Sequence, residues 1–246
     1  MTLALRSLLA ASVVSLAACA QAGPGQMSDE AFGEAVRAYI MENPEIIREA
    51  LIELDRLEQQ EDLDRTLNAI ADLSDQIYRD PRDYSVGPKD AKVQIVEFFD
   101  YNCGYCKRST DWVQETMDKH PNDVRVVFKE LPVLTGPDGT SYLAARAALA
   151  AARQGQYAKF HFAMMDARGL NEARIMKLAE EHGLDTDKLA KDMKDEAINR
   201  QIEDNLALAS RIPALSGTPF FIVNGQFVNG ASMDRLQALL NEELNS

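Results

Sequence analysis

Apolar positions along this chain keep several distinct spacings, and each spacing predicts a different kind of element. From Ser28 and Asp29 through Met41 they recur at Phe32, Val36 and Tyr39/Ile40, the pattern of an amphipathic helix. Asn43-Pro44 then punctuates, because Asn caps a following helix and Pro fits its first turn. Steps of three and four resume at Ile47, Leu51 and Leu54, then Leu63, Leu67, Ile70, Leu73 and Ile77, with an interruption near Glu58 to Asp62. A single helix over that stretch would be roughly 54 Å long at about 1.5 Å per residue, more than a small domain needs. Its narrow apolar stripe must be covered, either by the chain's own globular part or by another copy. Pro81, Gly87 and Pro88 predict a linker, with a domain boundary at about residue 82.

Beyond the linker the period changes. Val93, Ile95, Val96, Phe98 and Phe99 form a near-continuous apolar run, which suits a strand buried on both faces. A helix is expected to about Lys119, then a second strand at Val124, Val126, Val127 and Phe128, parallel to the first. Residues 141–211 read as successive helices, with Gly155, Gly169 and Gly183 at their C-terminal ends. Strands return only at Phe220 to Val223 and Gln226 to Val228, joined by the hairpin dipeptide Asn224-Gly225. Ser232 opens a last helix over Met233 to Leu240.

Composition narrows the function classes. The 246 residues carry a formal net charge of −13, which repels phosphate backbones and excludes nucleic acid as an expected partner. Residues 1–22 read as an export signal, with Arg6 ahead of an apolar stretch from Ser7 to Ala18. Leu16-Ala17-Ala18-Cys19 resembles a lipobox, which would make 1–18 a lipoprotein signal and Cys19 a lipid anchor; ordinary cleavage after Ala20 or Ala22 is the alternative. Either way the product is placed in the periplasm or cell envelope, where disulfide chemistry is favoured. Only Cys103 and Cys106 then remain for redox work.

Cys103-Gly104-Tyr105-Cys106 has three readings. A structural disulfide this short constrains the unfolded chain little, and a closed zinc site needs more ligands than one pair. Redox catalysis is favoured by position, since the pair falls where a strand gives way to a helix whose N-terminus stabilises a thiolate. Cys103 is then the exposed, low-pKa nucleophile and Cys106, one turn on, the buried resolving thiol. Glu97, six residues before Cys103, is a charge inside an apolar strand and must either have a task or point outward at a sheet edge. Pro219, after Gly217-Thr218, is an ordinary strand start or a cis peptide. His161 among Tyr157, Phe160 and Phe162 reads as packing, as does Trp112, while His120 and His182 sit at helix ends. Lys107 and Arg108 read as solvated surface charge, with support of the thiolate as the alternative.

These residues resemble the thioredoxin superfamily over about 90–245, and the all-helical insertion makes the resemblance DsbA-like. Phe98-Phe99-Asp100-Tyr101-Asn102 ahead of the cysteines is similar to the Com1-like branch. The resemblance implies an α/β thioredoxin fold in residues 83–246 with a helical insertion at about 138–212. It implies proton traffic between Glu97 and Cys106, and a cis Thr218-Pro219 bond that offers backbone to a substrate strand and shields the thiols from metal. Phe32-Gly33-Glu34 to Tyr39-Ile40 and Glu42-Asn43-Pro44-Glu45 are similar to the N-terminal helical segment of ScsC-type proteins, which implies that residues 27–80 form an oligomerisation segment and the chain a homo-oligomer.

The expected activity is thiol-disulfide exchange on exported cysteine-containing proteins, with a membrane redox partner, no cofactor beyond the Cys103/Cys106 disulfide and no metal. Gly-Tyr between the cysteines and Thr before the proline resemble the isomerase DsbC, whereas the insertion resembles the oxidase DsbA; isomerase or reductase action is the reading preferred. A copper-handling protein using the dithiol for Cu(I), and a structural envelope lipoprotein, are the alternatives.

Overall fold

The computed structural model describes residues 28–246, so the export signal and Cys19 lie outside the described residues. The described residues divide into two compact units, one ending at Asp55 and the other spanning Arg56–Ser246. Helix α1 (Asp29–Glu42) begins where Ser28 Oγ accepts from the Ala31 backbone N–H, as the sequence predicts. Helix α2 (Glu45–Asp72) runs through Glu58 to Asp62 without a break, because charged residues there interrupt the apolar pattern but not the helix-forming tendency. Helix α3 (Ser74–Tyr78) and a short strand β1 (Tyr84–Val86) follow.

The second unit is built on a five-stranded sheet in the order β1-β3-β2-β4-β5. β2 (Val93–Phe99) leads into α4 (Gly104–Lys119), which returns to β3 (Val124–Glu130), parallel to β2. Five helices come next: α5 (Thr140–Ala152), α6 (Tyr157–Asp166), α7 (Glu172–Glu181), α8 (Thr186–Asp192) and α9 (Glu196–Ala209). The sheet is completed by the antiparallel hairpin β4 (Phe220–Val223) and β5 (Gln226–Asn229), and α10 (Met233–Asn245) ends the chain. Asn224 and Gly225 both have positive φ, 45° and 91°, which the two-residue turn between right-twisted strands requires.

Alternation along the inner strands sorts side chains onto two faces. Val93, Ile95 and Phe99 of β2 join α4, α5, α6 and α10 in one core, while Val96 and Phe98 join a second. Ile70, Leu73 and Ile77 from the end of α2 and from α3 cover that second face with Leu208 and Ile212. A domain boundary at residue 82 therefore differs from what is observed: the compact unit holding the sheet starts at Arg56. Two forces draw residues 66–83 onto it. Each buried Ile or Leu contributes about 1.5–3 kcal/mol. Lys129, fully buried on the same face, pairs with Asp83 and donates to the Gln76 carbonyl. The charged residues of β3 hid that anchor from hydrophobic patterning.

Candidate active site

Cys103 is the N-cap of α4, extended at φ −77° and ψ 115°, and Cys106 lies in the first turn. The loop that delivers them is fastened at every residue. Asp100, buried, accepts from the N–H groups of Asn102 at 2.8 Å and Leu134 at 3.0 Å, and its carbonyl accepts from Cys103 N–H at 3.0 Å. Asn102 Nδ2 reaches Thr140 Oγ1 at 2.7 Å and Ser141 Oγ at 3.0 Å, tying the loop to the start of α5.

Cys103 is only 6% exposed, less than the sequence suggests, and Cys106 is fully buried. The reason is the segment before β4: the Thr218–Pro219 peptide is cis, and the Thr218 carbonyl lies 3.1 Å from the Cys103 sulfur. The Cys103 pKa is lowered to about 5, first by a hydrogen bond from the Cys106 thiol and further by the Cys106 and Tyr105 backbone N–H groups and by Thr218, with burial opposing. Burial pushes the Cys106 pKa far the other way, helped by its bond to Cys103 and the nearby Glu97 carboxylate. The two thiols are free and electronically opposite.

Glu97 sits in the central strand rather than at an edge, 2% exposed, on the face it shares with Ile95 and Phe99. Ser109 on the second turn of α4 links it to the backbone of Cys106: its Oγ stands 3.3 Å from Glu97 Oε1 and donates to the Cys106 carbonyl at 2.9 Å. Burial raises the Glu97 pKa to about 8, Ser109 restrains it, and the Cys103 charge adds to the rise. An acid of that strength exchanges a proton near neutral pH.

Several groups escaped the sequence reading. Lys107 is not a solvated charge: half-buried, its Nζ donates to the carbonyls of Met164, Met165 and Ala167 at the end of α6. Glu130, at the end of β3, is buried with Tyr101, Tyr157 and His161 around it. Tyr157 donates to Glu130 Oε1 at 2.7 Å; the Tyr101 hydroxyl lies 3.2 Å from that oxygen and 2.8 Å from His161 Nδ1. Burial raises the Glu130 pKa well above its usual range and lowers that of His161 to about 3. His161 is thus packed, with Phe99, Phe128 and Phe162 against its ring. The i, i+4 spacing of Tyr157 and His161 and the charge of Glu130 after an apolar strand were the available signals. Trp112 packs edge-on against Phe221 and donates to Gln237.

Fold and site together define a class: a thioredoxin-type sheet with a helical insertion between β3 and β4, and a dithiol at the head of its first crossover helix. Residues 94–241 match the DSBA-like thioredoxin domain, and the chain belongs to that family. Residues 30–61 match the copper resistance protein ScsC N-terminal domain. A thioredoxin-like oxidoreductase from Silicibacter pomeroyi is 38% identical, with 70% of this chain and 98% of that one covered and a TM-score of 0.64. A linker-deletion variant of ScsC from Proteus mirabilis is 26% identical over 91% of this chain and 99% of that one, with a TM-score of 0.65. Among curated proteins, a sodium/proton antiporter, NhaA 3 of Salinispora tropica, is 34% identical over 150 residues, 61% of this chain. The chain spans 22% of that relative's length, and no helix among the described residues is long and apolar enough to cross a membrane.

Proposed function

We propose that this protein is an exported protein thiol-disulfide oxidoreductase that works by exchange through Cys103 and Cys106. The observation that carries the reading is the pair of opposed thiols: Cys103 with its pKa lowered to about 5, and Cys106 buried behind it. Cys103 attacks a substrate disulfide, and Cys106 resolves the mixed disulfide after losing its proton toward Glu97. The backbone at Thr218 and Pro219, beside the sulfur, lines the place for an extended substrate strand. Isomerase or reductase action is the preferred direction, because the exposed apolar side chains of α1 and early α2, among them Phe32, Tyr39, Leu51 and Ile52, offer a surface for self-association that would set several sites around one substrate. Residues 1–22, read as an export signal, support a setting in the periplasm or cell envelope, with lipidation at Cys19 or ordinary cleavage after Ala20 or Ala22 as the two routes of maturation.

Refolding of scrambled ribonuclease, with Cys103→Ala as control, tests this reading. Recovery of ribonuclease activity by the parent and not by the control supports it; Cu(I) binding without turnover by either would replace it with copper handling.

A further inference from the structure

A groove of about 480 Å³ opens beside the redox loop, between the first turns of α4 and the segment that follows α6. Asn102 and Gly104, the chain neighbours of Cys103, form part of its wall, so an occupant comes within a residue or two of the sulfur. The rest of the charged lining is Lys107, Arg108, Asp166 and Arg168. Three cations against one carboxylate is an inversion in a chain of net charge −13.

The three cations differ. Lys107 is engaged internally, at 3.0, 2.8 and 2.7 Å from the carbonyls of Met164, Met165 and Ala167. Those bonds neutralise the partly negative end of α6, which would otherwise repel an anion entering the groove. Arg108 and Arg168 are exposed, and neither has an ion-pair partner among the described residues, Asp166 included. The Arg108 guanidinium is held 4.1 Å over the Tyr105 ring, which limits the directions its donors can take. A guanidinium fork with free donors matches a carboxylate.

We infer that this groove is a subsite for carboxylates borne by the disulfide that Cys103 attacks, with Arg108 and Arg168 as specificity-determining residues. The inference rests on the oxidoreductase reading and names its substrate class: a cysteine disulfide with acidic groups one or two positions from sulfur. Glutathione and an acidic stretch of polypeptide both supply that chemistry. In the step itself the Cys103 thiolate forms a new S–S bond to one sulfur while the old S–S bond breaks, and the electron pair leaves on the other sulfur as a thiolate. No outside oxidant enters.

The test compares reduced full-length protein reacting with oxidised glutathione, with a glutamate-flanked cysteine peptide disulfide, and with ester or amide analogues of each that lack the charges. Every rate is divided by the rate of the same disulfide with mercaptoethanol, which removes differences in leaving-group pKa. The acidic forms are expected to react about fivefold faster than their neutral analogues, an advantage that shrinks with added salt and falls toward one in Arg108→Gln/Arg168→Gln. An advantage seen with glutathione alone assigns a small thiol; one seen with the peptide alone assigns polypeptide; either upholds the groove. Equal rates for acidic and neutral forms, or an advantage that survives the double substitution, would overturn it. Failure of Cys103 to react with any disulfide, neutral ones included, would instead bring down the oxidoreductase reading and the groove with it.

Discussion

The Cys103 sulfur and the Thr218 carbonyl oxygen stand 3.1 Å apart across 115 positions of sequence. That contact closes the site from above, while Cys106 stabilises the Cys103 charge from below. The largest contribution to the low Cys103 pKa therefore comes from a single donor, and its removal has a readable effect. In Cys106→Ala the thiolate absorbance of Cys103 is expected to titrate at least one pH unit above the parent's value of about 5. An unchanged midpoint would assign the shift to the backbone N–H groups at the helix start and to Thr218.

Glu97 and Cys103 pull stability in opposite directions with pH. The Glu97 pKa is raised in the fold, so its contribution is whole below about 4.5 and is lost as pH rises through about 8. The Cys103 pKa is depressed, so its contribution is whole above 9.0 and is lost as pH falls through about 5. In the reduced parent the two slopes offset each other across the overlap. Glu97→Gln is expected to unmask the rising slope, up to about 1.4 kcal/mol per pH unit, in urea unfolding across that range. If the mutant's curve tracks the parent's, Glu97 does not hold its extra proton.

Tyr101 joins Glu130 and His161 across two elements, two residues ahead of Cys103. Tyr101→Phe keeps the ring and leaves the buried His161 Nδ1 without its partner, at a cost of about 1–3 kcal/mol. Denaturant unfolding measures it. A neutral substitution would mean that the ring stacking alone positions the loop.

The apolar face of α1 and early α2 is exposed, with Leu51 at 55%. Leu51→Glu is expected to lower the solution mass measured by sedimentation while leaving the helical circular dichroism signal intact. Mass equal to one chain in both proteins would remove self-association from the proposal.

Much of this was legible in the chain. The continuous apolar run from Val93, the Asn224-Gly225 hairpin and the cysteines at a strand-helix junction each have a local cause, and each is observed in place. What depends on a distant partner was not legible. Lys107 reads as surface charge until the end of α6 arrives beside it, and Cys103 reads as exposed until Thr218 covers it. The apolar steps of α2 looked like one stripe with one destination. Leu51 and Leu54 remain open to solvent, whereas Ile70 packs under the sheet, and no local spacing distinguishes them.

Lys129 sets a lower limit on how far the protein can be trimmed. Its ammonium is enclosed, and what satisfies it, the Asp83 carboxylate and the Gln76 carbonyl, comes from upstream of the whole redox fold. A fragment begun at residue 94, where the family match starts, would lose the helical cover of this face together with both partners, opening Lys129 and the apolar side chains beside it, Val96, Phe98 and Val127, to water. Each apolar side chain so uncovered forfeits about 1.5–3 kcal/mol, and a few of them amount to a large share of what holds a small domain together. The shortest piece able to stand alone must start ahead of Gln76.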